Sequence, residues 1–465
     1  MRRSIERELK LVPSESFRLA DLGEPLEPRV FQSTYHDTSD FQLARHGITL
    51  RLRMEDGTGL WQLKIPTGAK RIELEVPGPP AIPPAELTDP LVIHLRGRSL
   101  GKIARLRTRR QTVRRDGAEI VEDAVSVFEG PRVVKRFREV EIELVDGDER
   151  SLRRLEGELR EAGAERGEFI PKLHRALDIA VDGAPELEAV RTPSEAFRRA
   201  LADQRRQLVA HDPGSRIGGD PEDLHQLRVA TRRSRAFVRA AKALVEPKWA
   251  DALRTELGWL GSILGPARDA DVLLEYMTQA TVALGDEGRA SELVRALEKE
   301  RDRARRSALA ALSRKRYFTL LDRLAEKPPL IDAGDVRLAD LWWHEFKRTR
   351  KAFERLDKRS PDEELHAGRI RVKRARYAAE LGGHELGTAG ERFVSAAKTL
   401  QDVLGEHQDS TVASEWIEGW GEQNPESRQL VQRLLEQERK RRKSARRAWP
   451  RKWERLVRRA REAKP

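Results

Sequence analysis

Charged residues alternate with apolar ones along four short segments in the first part of the chain. Side chains two residues apart on a β-strand share a face, so each segment presents a pair of like charges. The pairs are Glu6 and Glu8, Arg51 and Arg53, Glu73 and Glu75, and Glu141 and Glu143. Carboxylates bind divalent metal ions, and guanidinium groups bind phosphate oxygens. The four pairs together therefore predict metal-assisted phosphoryl chemistry.

These pairs need a sheet to position them. Up to about residue 145 the sequence alternates with a period of two, and turn signals such as Asp56-Gly57 and Pro77-Gly78 separate the segments. The pattern predicts a mostly antiparallel sheet. An ordinary sheet with one solvated, charged face would also alternate. We favour a closed tunnel with the charges inside, because the acidic and the basic pairs lie on different segments.

A second candidate site lies after Pro185, where the pattern is helical. A basic stripe led by a histidine occurs twice there, and residues that recur every three or four positions share one face of a helix. The copies are His225, Arg228, Arg232, Arg235 and Arg239, and then His366, Arg369, Lys373 and Arg376. The opposite face of the first copy carries residues such as Leu227 and Val238. The repetition predicts a duplication into two four-helix bundles, over residues 192–326 and 336–463.

The charge balance narrows the class of partner. The chain has 90 Lys and Arg against 77 Asp and Glu, a formal net charge of +13, and the surplus lies after residue 190. This surplus predicts a polyanionic partner such as nucleic acid, an acidic membrane surface or polymeric phosphate. The absence of cysteine excludes disulfides and thiolate metal sites. No apolar run approaches the roughly 18 residues that span a bilayer, so we expect a cytoplasmic protein without membrane insertion.

The first part of the chain resembles the CYTH superfamily, the triphosphate tunnel metalloenzymes. Glu6-Arg7-Glu8-Leu9-Lys10 fits the E-x-E-x-K signature of that family. Later residues follow in the same order as in the family: Arg51 and Arg53, Lys64, Arg71 with Glu73 and Glu75, the run Arg105 to Arg110, Asp123, Glu141 and Glu143, and Lys172. The resemblance implies an eight-stranded antiparallel tunnel over residues 1–180, dependence on Mg²⁺ or Mn²⁺, and hydrolysis of triphosphate substrates.

The same resemblance implies three overlapping sets of site residues. The catalytic set is Glu6, Glu8, Lys10, Glu141 and Glu143. The substrate-binding set is Lys10, Arg51, Arg53, Lys64, Arg107, Arg109 and Lys172. The metal-binding set is Glu6, Glu8, Glu73, Glu75, Asp123, Glu141 and Glu143. A slip of one residue would move every side chain of a strand to the other face, so Arg110 is the alternative to Arg109, and Glu122 is the alternative to Asp123.

Residues 192–465 resemble a CHAD domain, the helical domain named for its histidines. The resemblance implies that inorganic polyphosphate binds to the basic faces formed by the two stripes. A flexible polyanion also suits the composition, because aromatic residues make up only 5% of the chain and few of them, such as Tyr377, lie along the stripes. Nonspecific nucleic-acid binding remains an alternative. His225 and His366 are either donors to phosphate or packing residues, and the sequence does not decide between these roles.

The predicted architecture is therefore a multidomain α+β protein, with an N-terminal antiparallel tunnel and a C-terminal all-α domain. The predicted function is metal-dependent hydrolysis of inorganic triphosphate in the tunnel, of the tripolyphosphatase type, with polyphosphate binding by the helical domain. Polyphosphate granules in the cytoplasm are a further expected location. Two alternatives stay open: a non-catalytic protein that binds polyphosphate granules, and a nucleotide-processing enzyme of the adenylate cyclase or thiamine triphosphatase type.

Overall fold

A computed structural model describes residues 1–6, 8–67, 70–79, 81–146, 149–166, 170–180, 190–282, 287–332 and 334–465. The chain forms two compact units, Met1–Leu187 and Glu188–Pro465. The first unit is built on an antiparallel sheet, and the second is helical. The predicted α+β class is therefore confirmed.

The first unit contains one sheet of eleven strands among its described residues. The strands are β1 (Arg2–Glu6), β2 (Glu8–Pro13), β3 (Glu24–Pro25), β4 (Arg29–Asp37), β5 (Thr49–Glu55), β6 (Thr58–Thr67), β7 (Lys70–Pro77), β8 (Gly101–Arg115), β9 (Ala118–Glu129), β10 (Arg132–Leu144) and β11 (Ala164–Arg166). The order of the strands is β1-β7-β6-β5-β4-β8-β9-β10-β2-β11, and β3 pairs with β8. Every pairing is antiparallel.

The sheet closes on itself through the start of the chain. Only one residue separates β1 from β2, yet β1 pairs with β7 and β2 pairs with β10. These two segments therefore join the two sides of the sheet, and the strands enclose a tunnel. Counted as one strand, β1 and β2 make eight long strands with β4 to β10, and β3 and β11 are short additions to that number.

Tight turns fix the register of neighbouring strands. Asp56 and Gly57 join β5 to β6 with φ values of 47° and 78°, as the Asp-Gly signal predicts. Asp116 and Gly117 join β8 to β9 in the same way, with φ values of 50° and 75°. A β-carbon at Gly117 would lie 1.8 Å from the carbonyl oxygen of Asp146, so only glycine fits there. The turn at Asp116 and Gly117 thus decides which side chains of β8 and β9 face the tunnel.

Helices cover part of the outer face of the sheet. The helices of this unit are α1 (Gln42–Arg45), α2 (Ala85–Thr88), α3 (Val92–Leu95), α4 (Glu149–Glu161) and α5 (Lys172–Leu177). Leu11, Val140 and Ile142 pack in one buried cluster with Leu155 and Leu159 of α4. Because side chains alternate along a strand, the residues between these apolar ones point into the tunnel.

The second unit is described as nine helices. They are α6 (Pro193–Ile217), α7 (Pro221–Ala240), α8 (Pro247–Val282), α9 (Glu287–Leu312), α10 (Lys315–Ala325), α11 (Leu338–Phe353), α12 (Asp362–Leu381), α13 (Gly383–Gln423) and α14 (Arg428–Glu462). The sequence pattern predicts eight, with a single helix over residues 287–325. The backbone at Arg314 is extended, with φ −87° and ψ 150°, and it divides that segment into α9 and α10.

Capping residues set the starts of two helices. Asp220 accepts a hydrogen bond from the backbone N–H of Glu222 and begins α7, with Pro221 in the first turn, as predicted. Helix α6 begins one residue earlier than the Pro193-Ser194 signal indicates. Its cap is Thr192, which forms a reciprocal capping box with Glu195.

The two helical repeats share buried surfaces. Met277 and Leu293, from α8 and α9, pack in one cluster with Ile417 and Leu430, from α13 and the start of α14. The predicted apolar face of α7 is buried, and it comprises Leu227, Ala230, Ser234 and Val238. Among the helices that the structure describes, none is both long and apolar enough to span a membrane.

Candidate functional site

Three carboxylates converge inside the tunnel. Asp123 comes from β9, and Glu139 and Glu141 come from β10. One oxygen from each lies within 4.8 Å of the others, and the three residues are almost completely buried. Carboxylate oxygens are the ligands that Mg²⁺ and Mn²⁺ prefer. Asp123, Glu139 and Glu141, here called the carboxylate triad, therefore form a donor set that fits a divalent metal ion.

Three cations contact Asp123 or Glu141 within the carboxylate triad. Lys172 enters from the start of α5, and its Nζ lies 3.0 Å from Asp123 Oδ2 and 2.9 Å from Glu141 Oε1. The Nζ of Lys10 lies 2.6 Å from Glu141 Oε1. Arg110 donates two hydrogen bonds to Asp123, of 2.9 and 2.8 Å. Sites for metal and for phosphate oxygens are thus adjacent.

Charge pairing keeps these buried groups ionised. Burial is the largest influence on Glu141 and would raise the pKa of its carboxyl, but Lys10, Lys172 and Arg110 together hold that pKa well below its usual value. The pKa of Asp123 is also lowered, because Lys172 and Arg110 outweigh the effect of burial. Burial would lower the pKa of Lys172, yet Glu141, Asp123 and Glu139 raise it well above its usual value. Asp123 and Glu141 are therefore anionic, and Lys172 cationic, at neutral pH.

A second group of cations lies on β5. Arg51 donates hydrogen bonds to Gln62 Oε1, at 2.8 Å, and to the Tyr35 hydroxyl, at 3.2 Å. Arg53 lies 2.6 Å from Glu55 Oε2. Its guanidinium carbon is 3.9 Å from the centroid of the Phe31 ring. Burial, followed by repulsion from Arg51, lowers the pKa of Arg53 to about 10 although Glu55 opposes this effect, so an anion between these two arginines would reduce their mutual repulsion.

The acidic pair on β7 lies near the same arginines. Gln62, which accepts from Arg51, donates hydrogen bonds to Glu75, at 2.7 Å, and to Glu73, at 3.2 Å. The Nζ of Lys64 is 3.5 Å from Glu73 Oε1. Within the part of the chain that the structure describes, the carboxylates close enough together to share a metal ion are those of the triad, and neither Glu73 nor Glu75 is among them.

The register of β8 differs from the one used to choose Arg107 and Arg109. Both arginines are exposed on the outer face, whereas Arg110 is opposite Asp123 in the strand pairing and bonds to it. Arg110 therefore replaces Arg107 and Arg109 in the tunnel. The physical reason is the two-residue period, which places Arg107 and Arg109 together on the face that Arg110 does not share.

The neighbouring strands show the same inside and outside distinction. Glu122 points away from Asp123 and accepts a 2.7 Å hydrogen bond from Arg138, so Asp123 is the inward residue of the two. Sequence reasoning missed Glu139, although it precedes Glu141 and Glu143 at the same two-residue spacing. Glu143 is partly exposed, 3.9 Å from Arg110.

The structure describes the backbones of Glu6 and Glu8 but not their side chains. Their backbones pair with Arg71 and Glu143, respectively. These pairings place both on strands of the tunnel, and the roles that the resemblance implies for them stay predictions.

The helical unit brings the two basic stripes together. Arg232 of α7 donates a 2.9 Å hydrogen bond to the hydroxyl of Tyr377 on α12. Lys373 is partly buried, and its pKa falls to about 7, first through burial and then through Arg369, Arg232, Arg228 and Arg376 in that order. These residues form one cationic cluster, here called the stripe cluster: Arg228, Arg232, Arg369, Lys373 and Arg376.

Few acidic groups balance the stripe cluster. Arg228 lies 2.9 Å from Asp269, and Arg376 lies 3.3 Å from Glu380. Burial, with repulsion from neighbouring arginines, lowers the pKa of Arg369, although Asp409 and Asp269 act in the opposite direction. The net surplus of positive charge makes this surface a candidate binding site for a polyanion.

The two histidines flank the stripe cluster in different environments. Nδ1 of His366 lies 2.7 Å from Gln408 Oε1. Burial and then Arg268 lower the pKa of His225, which favours its neutral form. Both rings are partly buried, and both roles, phosphate donor and packing residue, stay predictions.

Arg235 and Arg239 do not join the stripe cluster as the sequence predicts. Arg235 is exposed, and its guanidinium lies against Gly258 of α8. The charges that act on Arg239 come from other residues, namely Glu345, Arg254, Arg371 and Arg348. The predicted stripe of α7 therefore divides, because its C-terminal part packs near α11 while its first part faces the cluster on α12.

Each unit matches a known protein family. Residues 4–173 match the CYTH domain family and residues 199–418 match the CHAD domain family. Two uncharacterised proteins of Mycobacterium tuberculosis, from strains CDC 1551 / Oshkosh and H37Rv, are each 33% identical over 439 residues, which cover 83% of this chain and 81% of the relative.

Solved structures are similar to each unit separately. The CHAD domain of the plant Ricinus communis is 28% identical, covering 57% of this chain and 95% of that chain, with a TM-score of 0.46. A putative adenylate cyclase from Bacillus halodurans is 22% identical, covering 38% of this chain and 98% of that chain, with a TM-score of 0.30. The two domain matches in sequence, together with the long similarity to the mycobacterial proteins, show that the chain belongs to the CYTH-CHAD proteins.

Proposed function

We propose that the tunnel hydrolyses inorganic tripolyphosphate or a related triphosphate with the help of Mg²⁺ or Mn²⁺. Members of the CYTH family are triphosphatases or cyclases and depend on metal. The observation that carries the proposal is the carboxylate triad in direct contact with Lys10, Lys172 and Arg110. A metal triphosphate presents positive and negative charge together, and this site offers the complement of each.

The residues divide into two roles. The carboxylate triad would hold the metal, which supplies a Lewis acid for the phosphate oxygens when bound. The phosphate oxygens would be bound by Lys10, Arg51, Arg53, Lys64, Arg110 and Lys172. Water attacks the terminal phosphorus, the bond from that phosphorus to its bridging oxygen breaks, and orthophosphate and diphosphate leave. Because the pKa values of Asp123 and Glu141 are low, these carboxylates are weak bases. Positioning and charge neutralisation are therefore the main sources of catalysis.

Phosphate release from tripolyphosphate tests this role with a matched pair of variants. Glu141→Gln is nearly isosteric and removes one carboxylate of the triad, so we expect turnover to fall by about 100-fold or more. Glu122→Gln is the control, because Glu122 lies on the adjacent strand but faces outward toward Arg138. We expect the control to keep turnover within a factor of about 2, as is usual for substitutions away from a site.

Two further measurements make the outcome decisive. In the Glu141→Gln variant, Lys172 still pairs with Asp123 and Glu139, so the fold should persist and thermal melting should show one cooperative transition. Excess EDTA should abolish activity of the wild-type protein, and added Mg²⁺ or Mn²⁺ should restore it. Full turnover in EDTA, or in a folded Glu141→Gln variant, would rule out the proposed metal site.

We propose further that the stripe cluster binds inorganic polyphosphate. Its five cations come from two adjacent helices and have few acidic partners. On each helix, basic residues recur about one turn apart, roughly 5 Å, which suits a compact chain with a charge on every unit. The test is binding of long-chain polyphosphate to the charge-reversed variant Arg232→Glu/Lys373→Glu. The control is Arg439→Glu/Arg447→Glu, two exposed arginines on α14. Equal losses in both variants would indicate a diffuse charge effect without a defined site.

Nucleic acid is the competing partner for the same surface. Phosphate contacts alone do not distinguish the two polyanions, but nucleic acid must also accommodate its bases, and Tyr377 is buried and cannot stack on them. Polyphosphate should therefore displace RNA or DNA at a much lower phosphate concentration than the reverse competition needs. Competition on equal terms per phosphate would favour a nonspecific nucleic-acid role.

A further inference from the structure

A cavity of about 380 Å³ lies between α7, α11 and α12 of the helical unit, apart from the stripe cluster. This volume is near the lower end of the roughly 300–1,000 Å³ that is typical of small-molecule sites. Its polar lining comes from all three helices and the turn after α7: Arg239, Lys242, His344, Glu345, Arg348 and Arg374. Neither the tunnel nor the stripe cluster uses these residues in the roles proposed above.

The cavity brings together several cations and a single nearby carboxylate, that of Glu345, among its lining residues. Within the described residues, the side chains of Arg239, Arg348 and Arg374 form no ion pair or hydrogen bond with a carboxylate. Burial, and then repulsion from Arg239 and Arg371, lowers the pKa of Arg374, although Glu345 acts in the opposite direction. Three guanidinium groups from three helices thus converge on one space, and an anion there would relieve their repulsion.

The remainder of the lining is unlike a surface for a bare polyanion. Ala236, Ala240 and Ala378 contribute apolar walls, from which the oxygen surface of an inorganic phosphate chain gains nothing. Glu345 also faces the cavity, and its carboxylate would repel phosphate. Its Oε1 is buried and accepts no hydrogen bond from the described residues. A hydroxyl or amino group of a ligand could donate to that oxygen.

We propose that this cavity binds a small organic phosphate of about mononucleotide size, as a site separate from the polyphosphate surface. The phosphate groups face Arg239, Arg348 and Arg374. The organic part lies against the alanine walls, with a donor group toward Glu345. The proposal does not depend on the activity of the tunnel or on polyphosphate binding by the stripe cluster.

Calorimetric titration of the full-length protein with ADP in excess EDTA tests the site. The variant Arg348→Gln/Arg374→Gln should weaken ADP binding by at least about tenfold, since two charge-assisted contacts are lost. The matched control is Arg350→Gln, an exposed arginine on the same helix, outside the cavity lining. The control should stay within about twofold of wild type, as should long-chain polyphosphate binding by the double variant. Glu345→Gln should weaken ADP binding, because the organic part of the ligand donates to that carboxylate, but it should leave pyrophosphate binding unchanged or stronger.

Location and ligand class are checked separately. ADP should slow amide hydrogen exchange in α11 and at the end of α7, and this protection should disappear in the Arg348→Gln/Arg374→Gln variant. Arg348→Gln alone, on an exposed position, serves if the double variant fails to fold. No ADP binding at millimolar concentration, or ADP binding unaffected by these variants, would refute the site. Pyrophosphate binding as tight as ADP would refute the organic ligand. Parallel loss of ADP and polyphosphate binding would show one continuous polyanion surface instead.

Discussion

The tunnel and the stripe cluster both concentrate cations, but they differ in what neutralises them. In the tunnel, Lys172 contacts three buried carboxylates, and its pKa is raised well above its usual value. In the helical unit, Lys373 is surrounded mainly by arginines, and its pKa is lowered to about 7. The same kind of side chain is therefore stabilised as a cation in one unit and destabilised as a cation in the other.

This difference indicates two kinds of ligand. A site with balanced charge can accept a metal and a phosphate together, because its carboxylates would hold the metal and its cations, no longer paired with those carboxylates, would bind the phosphate. A site with surplus charge gains from an anion alone. We infer that the tunnel is suited to a metal-bound, reacting substrate and that the stripe cluster is suited to a polyanion that binds without reaction.

The largest expected difference between the two sites is in how strongly salt weakens ligand binding. Polyphosphate binding to partly exposed arginines releases counterions, so for about five contacts we expect affinity to fall by roughly 100-fold or more between 50 and 200 mM salt. The KM for tripolyphosphate should change far less, because buried charge pairs are screened weakly. The measurements are polyphosphate titrations and steady-state kinetics over the same salt range. Equal salt dependence at the two sites would remove the distinction between them.

Single substitutions along β8 should sharpen the assignment of inside and outside. Arg110→Gln removes a cation that bonds to Asp123, and we expect kcat/KM for tripolyphosphate to fall about 30-fold or more, by analogy with other charge-stabilising donors. Arg109→Gln changes an exposed side chain and should stay within about twofold. A greater loss in Arg109→Gln than in Arg110→Gln would indicate that the register of β8 is the one first predicted from sequence.

The sequence predicts more about the chemistry of the tunnel than about its register. Alternation places Glu141 on a charged face and the family resemblance implies Asp123, and the structure brings both into the carboxylate triad. The run from Arg105 to Arg110 has charges on both faces, so periodicity alone cannot choose between Arg109 and Arg110. That choice depends on strand pairing fixed by the turn at Asp116-Gly117. Glu139 was detectable by its spacing from Glu141, but it follows the charged Arg138, which obscures the alternation.

The helical unit shows a different limit of sequence reasoning. Helical periodicity predicts correctly that Leu227 and Val238 are buried and that the basic residues share the other side of α7. It cannot predict which helix faces each part of that side. Arg232 meets α12, whereas Arg239 lies beside Glu345 of α11. Tertiary packing therefore divides a stripe that is continuous in sequence.

The pH dependence of polyphosphate binding tests the environment of Lys373. Bound phosphate favours the charged form of Lys373, whose pKa in the free protein is about 7. Affinity should therefore be higher below pH 7 and should fall as pH rises, by roughly tenfold between pH 6 and pH 8 if binding raises that pKa by two or more units. Lys373→Arg keeps its charge over this range and should lose most of the dependence. Any pH dependence that remains belongs to other groups, such as His225, and an unchanged profile would exclude Lys373.

The smallest expected effect is on thermal stability in the absence of a polyanion. There, stability should rise with pH, whereas polyphosphate affinity should fall with pH. Because the folded-state pKa of Lys373 is lowered from its usual 10.5 to about 7, the folded protein binds fewer protons than the unfolded chain between these values, and its stability rises with pH there. Lys373→Met removes the buried charge and keeps much of the side-chain volume. Each 1 kcal/mol gained should raise Tm by about 2–4 °C in a unit of this size. At pH 6, where Lys373 is charged, the rise should be greater than at pH 9. A lower Tm for Lys373→Met at pH 6 would mean that the charge of Lys373 is compensated in the folded protein, and the contrast with Lys172 would not hold.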